Sequence, residues 1–327
     1  MIITKTPYRI SFFGGGSDYP EWYNKFGGSV LSTTIDKHIY ITTRFLPNFF
    51  KHKYRFVWSK IENVKKINQI RHKAVKNLLK NFKVKKGLEI HYDGDLPARS
   101  GMGSSSCFVV GLTKTLHELY GNNISNIKLT KEVINFEQNI MKEVVGSQDQ
   151  VAAVYGGFNK ILFKKKNSIK VVKLKKNKNI IELEKNLLLV YTRVHRTAHK
   201  IASTFVDKLT TSKKDYIKEM VEHVEEGEKI LKSGNINDFG NLLNSSWVLK
   251  KKLSPSITNH KIDDLYERAM NYGALGGKLL GAGGGGFLLI YMNKKFRKNF
   301  FKNNKNIINI PFKFSDSGSQ VIFKDER

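Results

Sequence analysis

The stretch LPARSGMGSSSCF, Leu96 to Phe108, strips side chains away at Gly101 and Gly103 and follows them with Ser104, Ser105 and Ser106. Upstream, GLEIHYDGDLP reads as a strand that Pro97 ends. Downstream, SSCFVVGLTKTLHELYG reads as an apolar helix from Ser105 that Gly121 closes. A strand, a Gly-x-Gly turn and small hydroxyl residues opening a helix form a cradle for an anion. The first-turn N–H groups of a helix have no internal partner and carry the positive end of its dipole. Glycines let that backbone approach a phosphate closely. A turn that only caps a helix could carry the same letters. Two common phosphate loops are excluded: no lysine follows the glycines as G-x-x-x-x-G-K-[ST] demands, and Ser106 breaks G-x-G-x-x-G.

Working outward, residues 2–13 alternate as a strand and lead into the glycine turn of PYRISFFGGGSDYPEW, which carries Arg9 and Asp18. GSVLSTTIDKHIYITTRFL reads as two strands or one long bent one. The segment FVWSKIENVKKINQIRHKAVKNLLKNF has helical spacing, with Ile67, Ile70, Ala74, Leu78 and Leu79 on one side. LTKEVINFEQNIMKEVVG reads as a helix with Thr130 as its cap. It contains Glu137 among apolar neighbours, and Asp149 follows in VVGSQDQVAAVYGG. Phosphoryl transfer uses an acid on Mg²⁺ and often a carboxylate beside the attacking hydroxyl. A helix cap and a solvated acid would fit the same letters. Strands follow in VYGGFNKILF, IKVVKL and KNLLLVYTRV, then helix-rich sequence from Arg196 to about Asn271. The run LLGAGGGGFLLIYM holds four consecutive glycines, Gly283 to Gly286, costly to order unless a ligand or another backbone comes close. The texture changes near residue 185, which divides an α+β chain into domains 1–185 and 186–327, with the last strand free to return to the first layer.

The net charge of +29 comes from 57 basic and 28 acidic residues. Most lysines are scattered. The densest run, Lys164 to Asn179, is interleaved with Val and Ile and reads as an exposed hairpin, so no specific nucleic-acid partner is expected. Apolar runs fall short of the roughly 20 residues of a membrane helix. The N-terminus lacks the order of a signal peptide, and the lone Cys107 reads as an inert core thiol, so a cytoplasmic location is expected.

Together, PYRISFFGGGSDY, LPARSGMGSSS and LLGAGGGGF resemble, in the same order, three motifs of the GHMP sugar and metabolite kinases. The resemblance covers nearly the whole chain. It implies a two-domain GHMP kinase fold, with a ribosomal S5-like N-terminal domain and a helix-and-sheet C-terminal domain, using ATP and Mg²⁺. Galactokinases carry Gly-Glu-His-x-Asp-Tyr where this chain has Gly15-Gly16-Ser17-Asp18-Tyr19. RISFFGGGSDYPEWY, GGSVLSTTIDKHIYIT and TRVHRTAHKI are more similar to the D-glycero-D-manno-heptose 7-phosphate kinases, with fucokinase-like members next.

By that resemblance Gly101, Met102, Gly103, Ser104, Ser105 and Ser106 would wrap the ATP phosphates, with Ser105 and Glu137 on Mg²⁺. Asp149 would be the base or orient the sugar hydroxyl, with Arg9 beside it. Gly16, Ser17 and Asp18 would meet the sugar, and Gly283, Gly284 and Gly285 would close the cleft. A sugar phosphate also needs a receiver, for which Arg193, Arg196 and Thr197 are the candidates. The expected reaction places a phosphate on the anomeric hydroxyl of heptose 7-phosphate, a step toward nucleotide-activated heptose for surface polysaccharide. The alternatives are a kinase of an unphosphorylated sugar and a non-catalytic RNA-binding protein. A monomer or homodimer is expected.

Overall fold

The computed structural model describes residues 1–165, 168–194 and 201–325. The first strand, β1 (Ile2–Phe13), buries both faces over its second half and ends at Gly14, whose φ of +81° turns the chain. Helix α1 (Pro20–Phe26) follows, opened by a proline whose missing N–H costs nothing there. The stretch read as one or two strands is a single long one, β2 (Gly28–Phe45), antiparallel to β1.

The next segment departs from its helical reading. It folds as β3 (Tyr54–Val57), β4 (Ile61–Val64), a short turn at Ile67–Gln69 and only then helix α2 (Lys73–Asn81). Tyr54 and Phe56 alternate inward, and β3 pairs in parallel with β5 (Leu88–Gly94). Sheet pairing overrides a local spacing that fits a helix.

After β5 comes helix α3 (Ser104–Leu119), starting one residue before its expected origin. Gly121 at φ +75° stands just past its end, in the left-handed conformation of a glycine stop. Helix α4 (Asn126–Asn135) is capped by Ser125, whose side chain accepts from Lys128 N. Thr130 is therefore interior and buried, not a cap. A wider π-helical turn, Phe136–Ile140, carries Glu137 inward. Helix α5 (Gln148–Tyr155), β6 (Phe158–Lys164) and β7 (Ser168–Lys173) complete this part.

Helix α6 (Lys178–Asn186) leads to β8 (Leu187–Tyr191). Three longer helices, Lys214–Ser233, Ile236–Leu253 and His260–Asn271, precede the hairpin of β9 (Ala274–Leu279) and β10 (Phe287–Met292). The helix Lys294–Asn303 and three short strands follow: β11 (Ile308–Asn309), β12 (Phe314–Ser315) and β13 (Gln320–Lys324).

Two sheets result. A nine-stranded sheet runs β13-β1-β2-β5-β3-β4, with β12 and β6 also on β2 and β7 on β6. A four-stranded antiparallel sheet runs β11-β8-β10-β9. The last strand pairs with the first, so the chain after β11 returns to the larger sheet. Of two apolar clusters, the larger joins both parts: Phe12 of β1 meets Phe239 of the helix Ile236–Leu253 edge-on, and Phe13 meets it at a tilt. Among the described residues no helix is long and apolar enough to cross a membrane.

Candidate active site

The site is assembled around Arg9, which leaves β1 almost fully buried. Its Nε and Nη2 donate to Oδ1 and Oδ2 of Asp149, each at 2.8 Å. Its Nη1 donates to the carbonyl of Gly101 at 2.7 Å, and its backbone N–H to the carbonyl of Met102 at 3.3 Å. One guanidinium thus ties the carboxylate of α5 to the glycine loop before α3, using the planar fork that a lysine lacks. A Cβ on Gly103 would stand 3.3 Å from Asp149 Oδ2, so Gly103 lets the loop lie against that carboxylate.

Asp18 joins from the turn after β1. Its Oδ1 accepts Gly16 N–H at 3.0 Å, its Oδ2 accepts Gln148 N–H at 3.3 Å, and its backbone carbonyl accepts Ser147 N–H at 2.8 Å. Gly146 must be glycine because a Cβ there would fall on the Asp18 carboxylate. Burial, and then the charge of Asp149, push Asp18 up to about 6.

Glu137 is buried behind the start of α3. Its Oε2 accepts from Ser106 Oγ at 2.8 Å and from Gln150 Nε2. Burial pushes its carboxyl up to about 7, with Asp149 acting in the same direction. A buried acid that costly to ionise is one that a cation would favour. Among the described residues no three His, Cys, Asp or Glu side chains form a protein-only metal cage. Mg²⁺ needs none, since it takes one or two protein oxygens and fills its shell with phosphate and water. The residues therefore fit a Mg²⁺ at Glu137.

The hydroxyl that bonds Glu137 is that of Ser106, while Ser105 is exposed at the start of α3. Other expectations are corrected here. Met102 contributes its carbonyl, and its side chain is fully buried in the core. Ser17 is fully buried, and its hydroxyl is used up by Gly14 O at 2.7 Å, Ser29 O at 2.9 Å and Ser29 N–H at 3.1 Å. It holds the turn and has nothing left for a sugar. The glycines at 283–285 meet their own chain. Gly284 N–H donates to Ile257 O at 2.7 Å, and a Cβ on Gly283 or Gly285 would strike the backbone of Ile257 or Val194.

The loops do converge. A Cβ on Gly281 would stand 2.6 Å from Gly101 Cα, and Phe287 N–H donates to Ser100 O at 3.2 Å. Arg193 is exposed in a left-handed conformation at φ +56°. Arg196 and Thr197 lie outside the described residues. Cys107 is buried, donates to Pro7 O at 3.1 Å and has its thiol pushed up by burial, which fits an inert core residue. Trp58 stacks at 6.0 Å on Phe56, with His72 edge-on at 5.1 Å, on the face that α3 covers with Phe108.

Sequence reasoning missed Gln148 and Gln150. The signal was their position, one on each side of Asp149, where one reaches Asp18 and the other Glu137. It also missed Lys250 and Lys278, which are buried beside the glycine loops.

Residues 68–157 match the model of the GHMP kinases N terminal domain, and residues 228–303 match that of the GHMP kinases C terminal. The chain belongs to the GHMP kinase family. It is 29% identical to D-glycero-alpha-D-manno-heptose 7-phosphate kinase of Campylobacter jejuni, covering 92% of each chain. It is 24% identical to a galactokinase of Pyrococcus furiosus over 90% of this chain and 89% of that one. The fold matches that of a D-glycero-D-manno-heptose 1-phosphate kinase from Bacteroides thetaiotaomicron with a TM-score of 0.80, at 22% identity over 100% of both chains. As a GHMP kinase this chain is an ATP-dependent phosphotransferase with an alcohol acceptor, and the non-catalytic RNA-binding alternative is set aside.

Proposed function

We propose that this GHMP kinase transfers the γ-phosphoryl group of ATP to the anomeric hydroxyl of D-glycero-D-manno-heptose 7-phosphate, giving the 1,7-bisphosphate. The observation that carries the chemistry is the two-pronged Arg9–Asp149 pair set against the Gly101–Gly103 loop. The similarity to the Campylobacter enzyme supports the sugar.

In this reading the N-terminal N–H groups of α3, with Ser104 and Ser105, receive the ATP phosphates. Glu137 and Ser105 hold Mg²⁺, with Ser106 and Gln150 fixing the Glu137 carboxylate. Mg²⁺ when bound neutralises phosphate charge. Asp149 accepts or orients the attacking hydroxyl. Arg9 holds Asp149 in one rotamer, so little ordering remains for the transition state. Gly16 and Asp18 border the sugar, and Arg193, Arg196 and Thr197 receive its phosphate. A sugar without phosphate, such as fucose, is the second reading. The similarity over 87% of this chain to the bifunctional fucokinase/GDP-fucose pyrophosphorylase of Arabidopsis thaliana, of which it spans 29%, favours it.

Coupled ADP release over a panel of heptose 7-phosphate, heptose 1-phosphate, fucose and galactose decides between them. Turnover confined to the 7-phosphate is expected, and turnover of fucose instead rejects the assignment. Asp149→Ala is expected to lower kcat by at least about a hundredfold, the scale of a positioned acid–base group. An unchanged kcat removes Asp149 from the chemistry.

A further inference from the structure

Two lysines behind the site are buried with no acid to match them among the described residues. Lys278, on β9, is 3% exposed and donates from Nζ to the carbonyl of Phe12 at 2.5 Å. Lys250, on the helix Ile236–Leu253, is 8% exposed and donates to the carbonyls of Leu279 at 2.7 Å and Gly281 at 2.5 Å. Among the described residues the charged groups that act on Lys250 are Lys278 and Arg9, and the one that acts on Lys278 is Arg9. His223, on the helix Lys214–Ser233, also feels Lys278, and the acids of that helix, Glu219, Glu222 and Glu226, act on His223. Among the described residues the one carboxylate paired with this group of cations is Asp149, which Arg9 already holds.

Burying a lone ammonium is costly, and an apolar residue of similar size would be cheaper. The carbonyls these lysines choose explain their presence. Phe12 lies two residues before Gly14, at the start of the turn that leads to Asp18. Gly281 O opens the second glycine loop, whose Gly281 lies against Gly101 of the phosphate loop. The ammonium groups therefore fix both loops from behind. Burial disfavours the charge on both, and a bound anion would favour it and balance it in that low dielectric.

We propose that Lys250 and Lys278 are positioning residues, a buried cation pair that shapes both glycine loops and supplies the positive potential for a polyphosphate in front of them. The nature of that ligand rests on the kinase reading. Burial and then Arg9 push Lys278 down to about 7, so its charge is held weakly in the free protein. An arriving anion favours the charged form, and nucleotide binding above neutral pH therefore takes up a proton.

The test is calorimetric titration of ADP into the wild type and Lys278→Met at about pH 7.5, in two buffers of different ionisation heat, with thermal unfolding alongside. The expected result is a loss of affinity of about tenfold or more, loss of the proton uptake, and a Tm that holds or rises. Affinity within about twofold of wild type overturns the proposal, as does a fall in affinity that only tracks a fall in Tm. Lys250→Met carries the same test if Lys278→Met fails to fold. The two readings fail separately. Lys278-dependent ADP binding without turnover of any sugar rejects the kinase assignment and keeps the cation pair. Sugar turnover with unchanged ADP affinity in both variants does the reverse.

Discussion

At the scale of the residue, Glu137 shows how this site couples a metal to the fold. Its carboxyl lies among Ser106, Gln150 and apolar neighbours, and burial raises it from 4.5 to about 7. A raised carboxyl stabilises the fold while it holds its proton. That contribution is complete below about pH 4.5 and is lost as pH rises through about 7. Glu137→Gln keeps an acceptor for Ser106 and Gln150 and removes the charge. Without metal, the wild type is therefore expected to lose more Tm than Glu137→Gln between about pH 5 and about pH 8. Asp18, raised to about 6, titrates in both proteins and cancels in the difference. Mg²⁺ with nucleotide should raise the Tm of the wild type at the upper pH by more than that of the variant. Differential scanning fluorimetry reads both effects. Equal pH slopes for the two proteins would mean that Glu137 is ionised in the free protein and that burial does not govern it.

At the scale of the element, the phosphate loop and the second glycine loop are packed back to back. Gly286 adopts φ +103°, and a Cβ there would enter the Ser100 carbonyl, one residue before Gly101. Gly286→Ala is expected to cost at least about 2 kcal/mol, from the strained backbone together with the clash. Because Ser100 must then shift, the KM for ATP should rise as well. Urea unfolding and steady-state kinetics measure the two. A stable variant with an unchanged KM would show that the loops do not depend on each other. The glycine clusters were legible because glycine in bulk has few other uses. What they approach was not: Gly283 and Gly285 face Ile257 and Val194 of their own chain, and no local spacing reveals what lies across a loop. The same limit applied to the start of the segment Phe56–Phe82. The spacing of Ile67, Ile70, Ala74, Leu78 and Leu79 holds over helix α2, while upstream of it β3 found β5 some thirty residues further on. Arg9 and Asp149 could be nominated from their motifs. The hydrogen bond of Ser106 to Glu137 was not legible, because it depends on helical phase at the first turn of α3.

At the scale of the whole molecule, the change of texture near residue 185 marks where the second sheet begins, with β8 at Leu187. It does not mark a break in the core. Phe12 and Phe13 pack with Phe239, Leu289 and Tyr291 in one cluster, and β13 closes the chain onto β1. The sequence could suggest that the last strand comes back, but the shared core came from residues far apart along the chain. A chain of 327 residues would ordinarily unfold in stages. Here both apolar clusters draw on both parts, the first through Phe12, Phe13 and Phe239 and the second through Trp22, Val30, Ile161 and Trp247, and Lys278 on β9 is bonded to Phe12 on β1. One cooperative transition is therefore expected. The three tryptophans report on it: Trp58 packs on the first sheet's core, while Trp22 and Trp247 are buried in the second cluster, which joins the helices to β8 and β10. Variants that keep one tryptophan and carry Phe at the other two should unfold at a common urea midpoint. A Trp58 transition separated from that of Trp247 would mean that the two sheets unfold independently, and the clips between β1 and β9 would then contribute little to holding the molecule together.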